Sequence, residues 1–189
     1  MGQVYEALTD RLREFIEQQA VFFVGTAPRE GGHVNVSPKG LADTFAVLDE
    51  TTVAYLDLGG SGVETISHIR ENGRVTLMFC AFSGPPKVLR LYGTGRVVMP
   101  GDEGFDELLA RFGRHPGVRS IIVVECERIA DSCGYAVPLM KVEGERDLLD
   151  RSAARKSAEQ WREYRAKHNS KSIDGLPGLS PEEIDAVLM

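Results

Sequence analysis

The chain predicts a mainly β fold with flanking helices, built on six to seven antiparallel strands. Three observations carry that expectation. Short runs of β-branched and aromatic residues recur from VFFVGTA at Val21–Ala27 to SIIVVECERI at Ser120–Ile129, punctuated by glycine, proline, aspartate and asparagine turn signals. Helical periodicity is confined to the N-terminus, two interior segments and the charged C-terminal part. With 189 residues, 42% hydrophobic and 26% charged, the chain suits one domain with appended helices, able to bury roughly 70% of its unfolded surface.

The same composition narrows the function classes. A net charge of −6 without any basic block argues against nucleic acid as the main partner. No apolar run approaches the ~20 residues that span a bilayer, and MGQVYEALTDRLREF is amphipathic rather than signal-like, so no membrane is expected and the location is expected to be cytoplasmic. Cys80, Cys126 and Cys133 are odd in number and lack C-x-x-C spacing, which argues against a disulfide framework or a zinc site. His33, His68, His115 and His168 are scattered with no H-E-x-x-H pattern, and no metal centre is expected.

Taken in order, Val4, Leu8, Leu12, Phe15 and Ile16 recur at helical spacing and predict an amphipathic helix over residues 3–18. VFFVGTA is the first strand, PREGGH a reversal, and HVNVS the returning strand, with His33 and Asn35 on one face and Val34 and Val36 on the other. Ser37-Pro38-Lys39-Gly40 is expected to break that strand, because proline lacks a ladder donor, and so to present Lys39 at a strand end. Unaided, this pattern equally describes an exposed turn lysine. TFAVL and TVAYLDL flank DETT as a hairpin.

GGSGVETISHIRENG reads as a helix with Ser61 and Glu64 as a capping box, Ile66 and Ile69 facing inward, and Asn72-Gly73 as its stop. A glycine-rich helix entry also supplies free N–H groups and a positive dipole end, the setting for a phosphate. RVTLMFCAF is expected in the middle of the sheet, with Cys80 in the core. VLRLYGTGRVVM alternates, and Gly93 and Gly95 within it signal a bulge, a bend or a close backbone approach. Asp102 to His115 predicts a helix on the spacing of Phe105, Leu108, Leu109 and Phe112. SIIVVECERI is the last strand and DSCGYAVPLM a functional or interface loop. Leu148 to Lys171 is charged and helical, with an aromatic edge of Trp161, Tyr164 and His168. Ser180-Pro181-Glu182-Glu183 opens a final helix, anchored by Ile184, Val187 and Leu188.

HVNVSPKG, AYLDLGGSGVETISHIRENGRVTLMFCAF, VLRLYGTGRVV and DSCGYAVP, in that order, resemble the pyridoxamine 5'-phosphate oxidase-like family of FMN-binding split β-barrels over roughly residues 5–140. The resemblance implies a split-barrel FMN-binding domain at 1–140, including the N-terminal helix, and a C-terminal helical extension at 141–189. It implies a homodimer with FMN in the grooves between subunits. Val36, Ser37 and Lys39 match contacts to the ring, ribityl chain and phosphate. Tyr55 and Asp57 match polar positions of the following strand, and Ser61, Glu64 and Thr65 match the phosphate-side helix entry. Glu64 and Thr65 stand where the family often carries basic residues, and Val88 stands at a position that often holds a polar flavin contact. WREYRAKHNSK lacks the arginine-histidine-acid signature that receives substrate in authentic pyridoxamine phosphate oxidases, so the resemblance does not extend to oxidation of vitamin B6 phosphates.

The function implied is that of an FMN-dependent oxidoreductase, moving two electrons between a small-molecule donor and oxygen or an organic acceptor. The flavin carries the chemistry, and no catalytic side chain is assigned. Cys133, Tyr135 and Trp161 are candidates for the substrate side or a cross-subunit contact. Cys133 has no base near it in sequence to make it a nucleophile. Two alternatives stay open: a deazaflavin-dependent reductase, and a non-enzymatic FMN-binding or dimeric interaction protein. The acidic chain shows no evident basic groove for the anionic tail of a deazaflavin.

Overall fold

A computed structural model describes residues 2–186. Val187 and Leu188, two members of the expected C-terminal anchor, lie outside the described residues. The chain opens with a two-residue strand, β1 (Val4–Tyr5), and helix α1 (Asp10–Glu17) begins later than its periodicity suggests. The first residues are drawn into the sheet instead: Tyr5 donates its hydroxyl to Asp131 Oδ2 at 2.6 Å, and the Gln3 amide donates to Asp131 Oδ1. Leu8, Leu12 and Ile16 still form one buried stripe. At about 1.5–3 kcal/mol each, their burial is what holds so short a helix.

Strands β2 (Val21–Thr26) and β3 (Asn35–Gly40) pair antiparallel from Val21↔Gly40 to Thr26↔Asn35. The expected break at Ser37–Gly40 does not occur, and the strand runs through Pro38. β3 is an edge of the sheet, where a missing backbone donor leaves no ladder gap on the free side. β4 (Phe45–Val47) and β5 (Thr52–Leu58) make the expected hairpin.

Helix α2 (Glu64–Asn72) ends on Gly73 in the left-handed conformation at φ 74°. Its expected capping box is absent: Val63 is the N-cap residue and no side chain caps it. Asn169 Nδ2 holds the Gly60 carbonyl at 3.0 Å and Arg119 Nη1 holds that of Gly62 at 2.7 Å, which fixes the helix start beyond Ser61. The Glu64 carboxylate accepts from the Ile173 amide instead.

β6 (Arg74–Cys80) lies between β2 and β7 (Val88–Val98). A Cβ on Gly93 would sit 2.0 Å from the Glu125 carbonyl oxygen, and the β7–β8 register shifts between Tyr92 and Gly93, so the glycine marks a close approach at a bulge. α3 (Phe105–Leu109) is far shorter than the expected Asp102–His115 helix. Gly104 at φ 79° delays its start, and the Gly113 amide bonds to the Asp43 carbonyl rather than continuing a helical ladder. β8 (Val118–Ser132) extends past both ends of SIIVVECERI and pairs with β7, β5 and β1.

The charged C-terminal stretch forms two helices, α4 (Leu148–Ala154) and α5 (Ala158–His168), because Ser157 starts a fresh capping box with Gln160. α6 (Pro181–Asp185) has the expected proline and a Ser180–Glu183 capping box. Among the described residues, no helix is long and apolar enough to cross a membrane.

The strand order β3-β2-β6-β7-β8-β5-β4 is antiparallel throughout and curls into a split barrel. The curl brings β4, at one end of this order, across to strands near the other: Phe45 of β4 lies 5.1 Å from Phe22 of β2 and 5.3 Å from Phe79 of β6. One core fills the curl under α1 and α2, and a smaller one lies outside it between β5, β8 and α3.

Candidate functional site

The alternation of β3 decides what its residues can touch. Asn35, Ser37 and Lys39 are half-buried, whereas Val34 and Val36 are 73% and 62% exposed on the opposite face. Val36 therefore points away from Ser37 and Lys39. The inward side chains enter two polar clusters, at opposite ends of the strand.

The first surrounds Asp57, which is 1% exposed near the end of β5. Lys39 Nζ stands 3.8 Å from Asp57 Oδ1. Arg119 grips both carboxylate oxygens, Nε to Oδ2 at 2.7 Å and Nη2 to Oδ1 at 3.1 Å, and Ser120 Oγ donates to Oδ2 at 3.1 Å. The local chain geometry explains this fork. Asp57 pairs with Ser120 and Leu58 with Val118, so Arg119 is the extra residue of a bulge. Burial pushes the Asp57 carboxyl upward, but Arg119, then Lys39, outweighs it and holds the group below its ordinary value. Arg119 is correspondingly raised, the pull of Asp57 exceeding the effect of its own burial.

Tyr55, two residues earlier on the same face, lies fully inside the core with its ring 5.6 Å from Phe22. Its hydroxyl has no hydrogen-bond partner among the described residues. Burial, then the Asp57 charge, holds it protonated well above the ordinary tyrosine value.

The second cluster links β3 to α2. Ser37 Oγ donates to Asn35 Oδ1 at 3.3 Å, and Asn35 Nδ2 reaches Thr65 Oγ1 at 3.2 Å and Thr26 Oγ1 at 3.4 Å. Thr26 Oγ1 lies 3.0 Å from His68 Nδ1. His68 is buried, its Nε2 has no partner among the described residues, and burial lowers its pKa against the attraction of Glu64, Asp174 and Glu71.

A cleft of about 740 Å³ opens beside Lys39. Its walls include Gly40, Leu41, Leu58, Gly59 and Gly60 on the barrel side and Val142, Glu145 and Leu149 from the segment before and into α4. That volume falls within the range of small-molecule and cofactor sites. Trp161 supports this wall from beneath. It is buried, and a Cβ on Gly59 would lie 2.8 Å from its ring, so its face is spent inside its own chain rather than on a substrate side.

Ser61 is exposed near the helix entry, Val88 is buried between Cys80 and Ser132, and neither joins the two clusters. Cys133 and Tyr135 are exposed in the loop after β8.

Residues 8–178 match the Pyridoxamine 5'-phosphate oxidase family profile. The chain belongs to the pyridoxamine 5'-phosphate oxidase family. The ustO family protein of Aspergillus flavus is 42% identical, the match covering 93% of this chain and 77% of that one. Among solved structures, a variant of HupZ from Group A Streptococcus superposes with a TM-score of 0.52 at 21% identity, covering 66% of this chain and 99% of that chain. A candidate pyridoxamine 5'-phosphate oxidase from Lactobacillus delbrueckii gives 0.51 at 20% identity, covering 66% and 94%. These two likenesses establish the fold of this family member.

Sequence reasoning about this pyridoxamine 5'-phosphate oxidase family member missed Arg119, Ser120, Asn35 and His68 as parts of the site. The available signal was the polar Arg-Ser pair opening an otherwise apolar strand, VRSIIVV. A charge there must find a partner, but only the fold identifies Asp57 as that partner.

Proposed function

We propose that this protein binds FMN beside β3 and acts as a flavin-dependent oxidoreductase on a small-molecule substrate. The observation that carries the reading is Lys39: an ammonium on an open sheet edge, 24% exposed, beside a cleft of cofactor size. Family membership supplies the context.

The residues present fit a flavin phosphate and ribityl chain. Lys39 would meet the phosphate as a charge-assisted donor. The Ser37 hydrogen is given to Asn35, which leaves Ser37 oxygen lone pairs to accept from a ligand hydroxyl. Asn35 and Thr65 would hold that orientation from the α2 side. Bound FMN would supply reversible two-electron transfer, while the protein orients it and controls access.

A second copy of the chain is the proposed opposite wall. Val34 and Val36 on the free edge, with Tyr135, Leu139 and Met140 after β8, are exposed apolar surface that a homodimer would cover. The three free cysteines suit a reducing, cytoplasmic setting.

The test is purification followed by an absorption spectrum and thermal shift with added FMN. A yellow protein, or one stabilised at saturating FMN, supports the reading; the absence of both a spectral change and a thermal shift refutes flavin binding. Reducing the bound flavin with nicotinamide cofactors and timing its reoxidation then separates enzyme from carrier. Rates no faster than those of free FMN would identify a carrier.

A further inference from the structure

Lys39 approaches a carboxylate before any ligand arrives, and an unshielded Asp57 would compete with a phosphate for its charge. The structure contains the remedy. Arg119 is 4% exposed and takes both Asp57 oxygens, and Ser120 adds a third donor. Two cations against one carboxylate leave one net positive charge, and the exposed end of it is Lys39.

We infer that Arg119 is the positioning residue of the anion grip: it neutralises Asp57 so that the Lys39 charge remains available, and through the Gly62 carbonyl it sets the entry of α2. This role rests on the phosphate-binding reading of Lys39. It assigns Asp57 as a shielded counter-charge rather than a ligand contact, since its carboxylate is enclosed by Arg119, Ser120 and Lys39. It also accounts for the absence of a basic residue at the helix entry. Positive charge reaches that entry from behind, where Arg119 Nη1 bonds Gly62 and Arg165 lies close behind, Nη2 donating to the carbonyl of Val118. Glu64 is the acidic group facing this region from α2, and its carboxylate is occupied by the Ile173 amide.

The role predicts that phosphate selectivity follows the net charge of the Lys39–Asp57–Arg119 set. Four proteins test it: wild type, Arg119→Gln, Asp57→Asn and the double variant Arg119→Gln/Asp57→Asn. In Asp57→Asn the amide oxygen can still accept from Arg119, which limits damage to the fold. The readout is the ratio of FMN to riboflavin affinity, which cancels effects common to the ring and ribityl chain. Circular dichroism and melting confirm each fold.

Arg119→Gln should lower the ratio about tenfold, Asp57→Asn should raise it, and the double variant, with wild-type net charge, should return to within about threefold of wild type. An Asp57→Asn ratio at or below wild type, or a double variant that fails to recover, overturns the inference. Should Arg119→Gln not fold, Asp57→Asn and the double variant still decide it against wild type. Should wild type bind neither flavin, the cofactor reading fails on its own. ³¹P line broadening of inorganic phosphate across the same proteins then tests the charge ranking: a ranking unrelated to net charge rejects the role of Arg119.

Discussion

Gly93→Ala is the sharpest test of how the barrel is assembled. The new Cβ would lie 2.0 Å from the Glu125 carbonyl oxygen and 2.8 Å from its carbon, both backbone atoms of β8. Neither can swing aside as a side-chain end would. Relief requires β7 and β8 to part at the bulge, where the register already shifts. Overpacking of this kind costs about 1–3 kcal/mol, and weakening one or two neighbouring ladder bonds adds about 1 kcal/mol each. The expected loss is therefore about 2–5 kcal/mol, or roughly 4–20 °C in melting temperature for a chain of this size.

Two glycines of the same sheet provide controls. Gly95→Ala would meet side-chain atoms rather than backbone, Ile69 Cδ1 at 3.0 Å and Val75 Cγ1 at 3.3 Å, and should cost about 1 kcal/mol, and Gly25→Ala meets nothing closer than 3.8 Å and should be near neutral. Urea unfolding followed by circular dichroism measures all three. A Gly93→Ala protein within about 0.5 kcal/mol of wild type would refute the close-approach argument, as would Gly25→Ala being the most damaging of the set.

Other consequences concern the site and its supports. Lys39→Met should weaken FMN by roughly tenfold or more while changing riboflavin less than about twofold, because a charge-assisted bond contributes about 1.5–3 kcal/mol; equal losses in a fluorescence titration would remove Lys39 from the phosphate site. His68 titrates below its ordinary value of 6.5 in the folded chain, so the unfolded chain takes up the proton first as pH falls. Its stabilising contribution is whole above about pH 6.5 and is lost as the pH drops through the depressed folded value, so the melting temperature should fall in acid more steeply in wild type than in His68→Gln. Parallel pH profiles would exclude His68 as the titrating group. Trp161→Ala should destabilise by about 3–5 kcal/mol, since the ring is buried against Gly59 and Gly117; a loss under about 1 kcal/mol in urea would show that α5 does not support that wall.

Legibility in the sequence varied with the range of the interaction. The helix stop at Gly73 and the Ser180–Glu183 box of α6 form as read, because each is decided by residues a few positions apart. The Ser61–Glu64 box has the same local form and does not close, because Asn169 and Arg119, distant in sequence, hold the preceding carbonyls and set the helix start. Pro38 signalled a strand end and sits within a strand, since only the sheet order reveals that β3 is an edge.

The sequence by itself determined the mainly β character, most strand positions, the stripe of α1 and the prominence of Lys39. These follow from periodicity, turn residues and the charge pattern, all carried by neighbours along the chain. The tertiary structure alone decided that Lys39 and Arg119 converge on Asp57, that Val36 faces away from them, and that Trp161 is consumed beneath Gly59. Register, bulges and the curl of the sheet set those relations, and they depend on pairings between residues far apart in sequence. Lys39 was legible as a charge at a strand; what surrounds that charge is set by the bulge that turns Arg119 onto Asp57.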